Sequence, residues 1–200
     1  METAGQLSSR PLACVWLFQN GKMVIREATP SDAPSMARIH VDTWRSTYRG
    51  IIQDEILAGL SYVSRQEMWH DALTTHRGQN FTYIVENEAG EVVGFVVAGR
   101  AREAMADYEG EIYAIYLNQE YQGRGWGKQL FLRAVERLVS EGMNSMMLWV
   151  LADNPTRGFY EALGGREIGQ KNIEIGSQRL VEVAYGWHQL NAVNKIGQAN

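Results

Sequence analysis

From Met23 onward, apolar residues recur at spacings that predict alternating strands and helices. Alternating or continuous apolar runs that are bounded by turn residues predict strands. These runs are Val24–Glu27, Phe81–Glu86, Val92–Ala98, Glu111–Leu117, Met146–Leu151, Ile168–Ile175 and Leu180–Trp187. The run Met146–Leu151 has no polar position, which is typical of a central strand that is covered on both faces.

Apolar stripes at helical spacing predict the helices between these strands. A capping box of Ser64 and Glu67 is expected to open the second helix, which runs to about His76 before Gly78. Asn154–Pro155 caps the last helix and Gly164–Gly165 ends it. The order of elements, βααβββαβαββ, predicts a single mixed α+β domain. The stripes are Ala33, Met36, Ala37, His40 and Trp44, then Met68, Trp69, Ala72 and Leu73, then Leu130, Phe131, Ala134, Val135, Leu138 and Val139.

The two ends of the chain do not follow this pattern. Residues 1–22 hold one short apolar patch, Pro11–Phe18, and are expected to be a leader, a disordered extension or sequence upstream of an effective start at Met23. The domain is expected to span 23–190, and residues 191–200 to form a loose tail. Cys14 lies in the leader and is the one cysteine, so an internal disulfide is excluded and a reducing, cytoplasmic setting is expected.

Composition excludes several functional classes. The chain of 200 residues has a net charge of −4, which argues against nucleic acid as its partner because phosphate binding needs a basic surface. No apolar run approaches the ~18–20 residues of a membrane helix, so no membrane partner is expected. No motif predicts a metal site. Whether the chain forms a homodimer stays open at this point.

A glycine-rich loop between the fourth strand and the third helix carries the sharpest chemical signal. It consists of Gln122, Gly123, Arg124, Gly125, Trp126, Gly127 and Lys128. Glycines let backbone N–H groups approach an anion at a helix start, and a basic side chain adds charge. The spacing fits neither G-x-G-x-x-G nor the P-loop pattern, which argues against a dinucleotide site or nucleotide hydrolysis. A plain strand–helix turn is the alternative.

Two motifs resemble the GNAT superfamily of N-acetyltransferases. Gln122, Gly125 and Gly127 match its Q/R-x-x-G-x-G/A signature, and the segment from Asn154 through Phe159-Tyr160 to Gly164 is similar to its N-x(n)-F-Y-x-x-x-G-F segment. Gly165 stands where the family usually has an aromatic residue. The resemblance implies one domain with a mostly antiparallel twisted sheet, flanked by helices and splayed into a V between the fourth and fifth strands.

The resemblance also implies acetyl-CoA as donor and an amine as acceptor. Backbone groups of Ile115, Tyr116 and Leu117 would bind the pantetheine arm and polarise the thioester. The N–H groups of the loop from Gln122 to Lys128 would hold the pyrophosphate, and Asn154 would contact the cofactor or cap its own helix. A non-catalytic acyl-CoA-binding regulatory module on the same fold is the alternative function.

Two side chains are candidates for proton transfer, because an ammonium cannot attack and a departing thiolate needs a proton. By resemblance, Glu111 would be the general base, with Glu109 in reserve, and Tyr160 the general acid. In a regular strand Glu111, Tyr113, Ile115 and Leu117 would share one face. A solvated or paired Glu111 and a core Tyr160 are the alternatives.

The acceptor is not identified by the sequence. The first helix and the loop after it form the acceptor wall in this superfamily, which makes Trp44 and Tyr48 candidate substrate-binding residues; Trp69 lies in the same region. Tyr113, in the fourth predicted strand, is a further candidate. Aromatic rings can hold apolar bodies or cations, and they also build cores. Small-molecule amines and peptide or protein amines both stay open.

Overall fold

The computed structural model describes residues 23–75, 80–102 and 108–193. Seven strands and five α-helices occur in these ranges. The strands are β1 Val24–Glu27, β2 Asn80–Glu86, β3 Val92–Arg100, β4 Gly110–Leu117, β5 Ser145–Leu151, β6 Arg166–Ile175 and β7 Gln178–His188. The helices are α1 Ala33–Thr47, α2 Asp54–Ala58, α3 Tyr62–Thr75, α4 Trp126–Ser140 and α5 Arg157–Ala162.

The strands form one twisted sheet in the order β1-β2-β3-β4-β5-β7-β6. The β4–β5 pair is parallel and all other pairs are antiparallel. β4 pairs with β5 only through Gly110↔Met146 and Glu111↔Met147, so the two strands separate beyond these residues. This confirms the expected mixed α+β fold and the V between the fourth and fifth strands.

Helices cover both faces of the sheet. α1 and α3 bury Met36, Ile39 and Trp69 on one face against Ile84 and Phe95. On the other face, α4 buries an apolar stripe that includes Leu130, Phe131 and Leu138, and α4 packs on β2, β3 and β4. The apolar run of β5 is buried at all positions but Trp149, as expected for a central strand.

The segment between α1 and α3 differs from the sequence prediction in two ways. A short helix, α2, was not predicted, because five residues are too few to show helical periodicity. The capping box of Ser64 and Glu67 was wrong: α3 begins at Tyr62, and the N–H of Ser64 donates to the Oγ of Ser61 at 3.3 Å. The predicted end at His76 and Gly78 lies outside the described residues.

β4 contains an irregularity that changes which residues share a face. Its register with β3 passes from Ala98↔Ile112 to Val97↔Ala114, so Tyr113 is an extra residue in the strand, a β-bulge. The prediction that Glu111, Tyr113, Ile115 and Leu117 share a face was therefore wrong. Ile115 and Leu117 pack with the α4 side, whereas Tyr113 packs with the α1 side.

The unusual Gly165 has a structural reason. A Cβ at this position would lie 2.5 Å from Cζ2 of Trp187 and 2.9 Å from the carbonyl oxygen of Tyr160. Trp187 is 2% exposed and its Nε1 donates to the carbonyl of Leu163 at 2.9 Å. The indole from β7 thus takes the space in which a side chain at position 165 would start.

Residues at the C-terminal limit of the described chain join the core. Leu190 and Val193 are buried in the same cluster as α4 and β5, so packed residues continue past 190. Residues 1–22, with Cys14 and Pro11–Phe18, and residues 194–200 lie outside the described ranges. None of the described helices is both long enough and apolar enough to span a bilayer.

Candidate functional site

A cavity of about 660 Å³ lies where β4 and β5 separate. One end is lined by the glycine-rich loop and the first turn of α4, including Gly123, Gly125 and Lys128. The other end is lined by Trp44 of α1, by Tyr48 at the C-cap of α1, and by residues of β6 and β7. Residues Ile112 to Leu117 of β4 form the wall between the two ends.

The β4 wall presents main-chain groups to the cavity. β4 pairs with β3 as far as Leu117, but its partner on the β5 side is lost after Glu111. A strand edge without a neighbouring strand has N–H and C=O groups that can pair with an extended ligand. The predicted binding residues Ile115, Tyr116 and Leu117 all lie on this stretch.

The loop at the end of β4 leads into the N-terminus of a 15-residue helix. Gly123 and Gly125 have φ values of 71° and 87°, a left-handed conformation that glycine adopts without strain. The N–H of Gln129 makes the first intrahelical bond, to the carbonyl of Gly125 at 3.1 Å. By helix geometry, the N–H groups before it remain available for an anion.

The side chains of this loop have different surroundings. Gln122 lines the cavity, and its Nε2 donates to the carbonyl of Leu117 at 2.9 Å, which fixes the loop on the end of β4. The guanidinium of Arg124 lies 5.9 Å from the ring centre of Tyr121 and is not part of the cavity lining. Trp126 packs against the core, whereas Lys128 lines the cavity. The structure thus brings most of the predicted loop residues to one end of the cavity.

Tyr160, the predicted general acid, also lies on the cavity wall. It is 8% exposed, and burial, followed by the nearby Tyr116, raises the pKa of its phenol above the ordinary value. Its hydroxyl therefore stays protonated at neutral pH. A protonated hydroxyl on a cavity wall can donate a hydrogen bond or a proton to a group that is bound there.

Asn154 fixes a second tyrosine in the cavity. Its Nδ2 donates to the hydroxyl oxygen of Tyr48 at 3.2 Å, and its Oδ1 accepts from the N–H and Oγ1 of Thr156 at 2.8 and 2.7 Å. The N-cap of α5 is Thr156, so Asn154–Pro155 precedes the cap. Burial, followed by the neighbouring tyrosines, raises the pKa of Tyr48.

The two carboxylates that the sequence suggested as bases lie away from the cavity. Glu111 is 3% exposed at the closed end of the β4–β5 pair, and its carboxylate accepts from the backbone N–H of Arg102 at 2.9 Å and from the Arg102 guanidinium. Glu109 accepts from the N–H of Asn144 at 2.6 Å. Neither residue is part of the cavity lining, and both carboxylates hold backbone N–H groups of neighbouring segments in place.

Aromatic residues enclose the other end of the cavity. The Nε1 of Trp44 donates to the hydroxyl of Tyr116 at 3.0 Å, and the ring of Trp44 lies edge-on to Tyr48 at 5.2 Å. Tyr113 lines the cavity as well; its hydroxyl donates to the carbonyl of Arg100 at 2.5 Å. Trp69 is buried in the core next to Phe95 and does not reach the cavity.

Behind this aromatic wall lies His40, which was predicted as a packed, hydrogen-bonded residue of the helix stripe. The packing is confirmed, but the hydrogen bonding was wrong: neither ring nitrogen has a partner among the described residues. His40 is 6% exposed and stacks on Tyr116 with ring centres 5.1 Å apart. Burial, with a smaller contribution from the charge of Arg65, lowers the pKa of His40 to about 4. The imidazole is therefore neutral at physiological pH.

The sequence reasoning missed the residues that β5, β6 and β7 bring to this end, namely Trp149, Ile175 and Glu182. Glu182 lies between Val181 and Val183 in a strand, where a polar residue normally indicates a solvent-facing position. Only the pairing of β7 with the splayed end of β5 places it beside the cavity, and this pairing cannot be seen in local sequence.

Residues 36–165, more than half of the chain, match the sequence model of the acetyltransferase (GNAT) family. The chain belongs to this family. The acetyltransferase is 36% identical over 174 residues to an uncharacterized N-acetyltransferase of Bacillus subtilis, and the alignment covers 87% of this chain and 98% of the relative. A probable N-acetyltransferase of Mycobacterium tuberculosis is 26% identical over 174 residues, which cover 85% of this chain and 87% of that protein.

A solved structure shows the same fold. The PaiA N-acetyltransferase from Thermoplasma acidophilum, in complex with coenzyme A, superimposes with a TM-score of 0.68 at 19% identity, covering 84% of this chain and 99% of that protein. At this identity the likeness supports the architecture of the acetyltransferase and not its acceptor.

Proposed function

We propose that this acetyltransferase moves an acetyl group from acetyl-CoA to the primary amine of a small molecule or a peptide, by direct attack in a ternary complex. The observation that carries the proposal is the open edge of β4, which ends at the glycine-rich start of α4. The edge suits the amides of an extended arm and the helix start suits a pyrophosphate, so together they fit coenzyme A.

The position of the donor then follows from the cavity. The pyrophosphate binds at the N–H groups of the loop, with Lys128 adding a positive charge. The pantetheine arm pairs with β4 from Leu117 toward Ile115, and the thioester reaches the middle of the cavity. The coenzyme A bound to the Thermoplasma protein supports this choice of donor.

The reaction forms a C–N bond and breaks a C–S bond. The neutral amine attacks the thioester carbonyl carbon, and a backbone N–H near Ile115 or Tyr116 stabilises the oxyanion. Collapse of the tetrahedral intermediate expels the thiolate, which takes a proton from the hydroxyl of Tyr160. The amine loses its proton to water, and water returns a proton to the Tyr160 oxygen, so the hydroxyl is restored for the next turnover. Glu111 and Glu109 take no part in this transfer, because they do not line the cavity.

The proposal is tested by incubating the protein with acetyl-CoA and a panel of primary amines. We expect release of thiol together with a mass increase of one acetyl group on the amine, and no release without amine. If the protein binds acetyl-CoA but releases no thiol with any amine, it is an acyl-CoA-binding module and the proposal is wrong. If it binds no coenzyme A, the assignment of the cavity is wrong too.

A further inference from the structure

Glu182 brings a carboxylate to the acceptor end of the cavity. It lies on β7 directly opposite Leu151, the last residue of β5, and opposite Lys171 on β6. It lines the cavity together with Tyr48 and Ile175.

The charges along the cavity are divided between its ends. Among the lining residues that the structure describes, Lys128 and Glu182 are the charged ones. Lys128 belongs to the loop end, where the proposed donor places its phosphates. The acceptor end therefore has a carboxylate and three aromatic walls, from Trp44, Tyr48 and Trp149. Carboxylates and aromatic faces both attract cations.

The chain itself shows that this corner accommodates an ammonium group. The Nζ of Lys171 lies 3.7 Å from Oε2 of Glu182 and 4.1 Å from the ring centre of Trp149. A separation of 3.7 Å is longer than a hydrogen bond, so Lys171 forms a loose ion pair from the β6 side. Lys171 itself is not part of the cavity lining, whereas Glu182 and Trp149 are.

We propose that Glu182 determines acceptor specificity by binding a second cationic group of the substrate, which makes the acceptor a diamine or a longer polyamine. The inference rests on the proposed function. The amine that attacks must be neutral, so a lasting charge on the acceptor must belong to another group. That second ammonium is the group that Glu182 and the aromatic walls bind.

Three amines of similar length test the proposal: 1,4-diaminobutane, 4-aminobutanol and 4-aminobutanoate. We expect kcat/KM of the wild type to be about tenfold or more higher for the diamine than for the amino alcohol, and lowest for the amino acid. Glu182→Gln should raise KM for the diamine and bring its kcat/KM close to that of the amino alcohol, while kcat changes little.

The matched control is Glu174→Gln. Glu174 lies on the same hairpin, is 69% exposed at its side chain, pairs with Arg179 at 3.4 Å and does not line the cavity. This variant should keep the preference of the wild type. Lys171→Met is the second test, because removing the internal cation should strengthen the preference for the diamine; it also keeps the proposal testable if Glu182→Gln fails to fold.

The outcomes separate this inference from the proposed function. If the wild type acetylates all three amines equally, or if Glu182→Gln slows all three by the same factor, Glu182 does not bind a second cation and the inference is wrong, although the transferase function stands. A preference that Lys171→Met leaves unchanged or weakens also contradicts it. If no amine is acetylated while acetyl-CoA binds, the proposed function itself fails.

Discussion

Removing the hydroxyl of Tyr160 tests its role as the proton donor. Tyr160→Phe leaves the ring in place against Phe159 and Tyr185. Losing one hydrogen-bonding hydroxyl costs about 1 kcal/mol of stability, so the protein should stay folded. If the hydroxyl protonates the thiolate, kcat should fall ~10²–10⁴-fold, and a fall of 10² corresponds to ~2.7 kcal/mol of activation free energy.

The assay is steady-state thiol release with the best amine, together with calorimetric titration of acetyl-CoA. We expect kcat to fall, acetyl-CoA affinity to change little, and the thermal midpoint to move by a few degrees. The thiolate is a fairly good leaving group, so the fall in kcat should lie at the lower end of the range.

Tyr83→Phe is the matched control. Tyr83 is 1% exposed and lies under the guanidinium of Arg133, outside the cavity. The same loss of a buried hydroxyl there should leave kcat unchanged. If Tyr160→Phe reduces kcat no more than Tyr83→Phe does, Tyr160 is a core residue and the proton comes from elsewhere.

Three further predictions concern other parts of the site. Gly125→Asp should abolish acetyl-CoA binding in calorimetry, because it puts a negative charge at the anion site. The control is Gly90→Asp: Gly90 has a φ of 77° in a distant turn, so this variant should introduce similar backbone strain and keep acetyl-CoA binding. Glu111→Gln weakens the contacts with Arg102, so it should lower the free energy of unfolding by ~1–3 kcal/mol. It should leave the acidic limb of the pH–rate profile in place; a flattened limb would show that Glu111 is the base. The pKa of His40 falls to about 4 in the folded protein, so the unfolded state binds a proton first as the pH drops below about 6.5. The free energy of unfolding, measured by urea denaturation, should therefore fall by up to ~3 kcal/mol by about pH 4. His40→Phe should remove this part of the pH dependence.

The elements of the fold could be predicted because their signals are local. The apolar run of β5, the stripe of α4 and the glycines that bound them each indicate one structure whatever the rest of the chain does. The position of the loop at Gly125 follows in the same way, because a left-handed backbone before a helix needs glycine there. The V between β4 and β5 was predicted from the family resemblance and not from these local signals.

Sequence alone says least where the surroundings of a residue depend on distant pairing. The bulge at Tyr113 shifts the face assignment along β4, and strand alternation alone cannot show it. For Glu111, which was predicted as a base, the sequence could not show that Arg102, nine residues earlier, donates to its carboxylate. Glu182 was missed because β7 reaches the cavity only through its pairing with β5.

The most direct test of the account is a titration of the ¹⁵N-labelled protein with coenzyme A, followed through the backbone amide resonances. We predict saturable shifts at residues 114–117 of β4 and at 122–128 of the loop and α4, with the amides of β1, β2 and α3 unchanged. Saturable shifts that spare both β4 and the glycine loop would contradict the assignment of the donor site, and so would the absence of any shift.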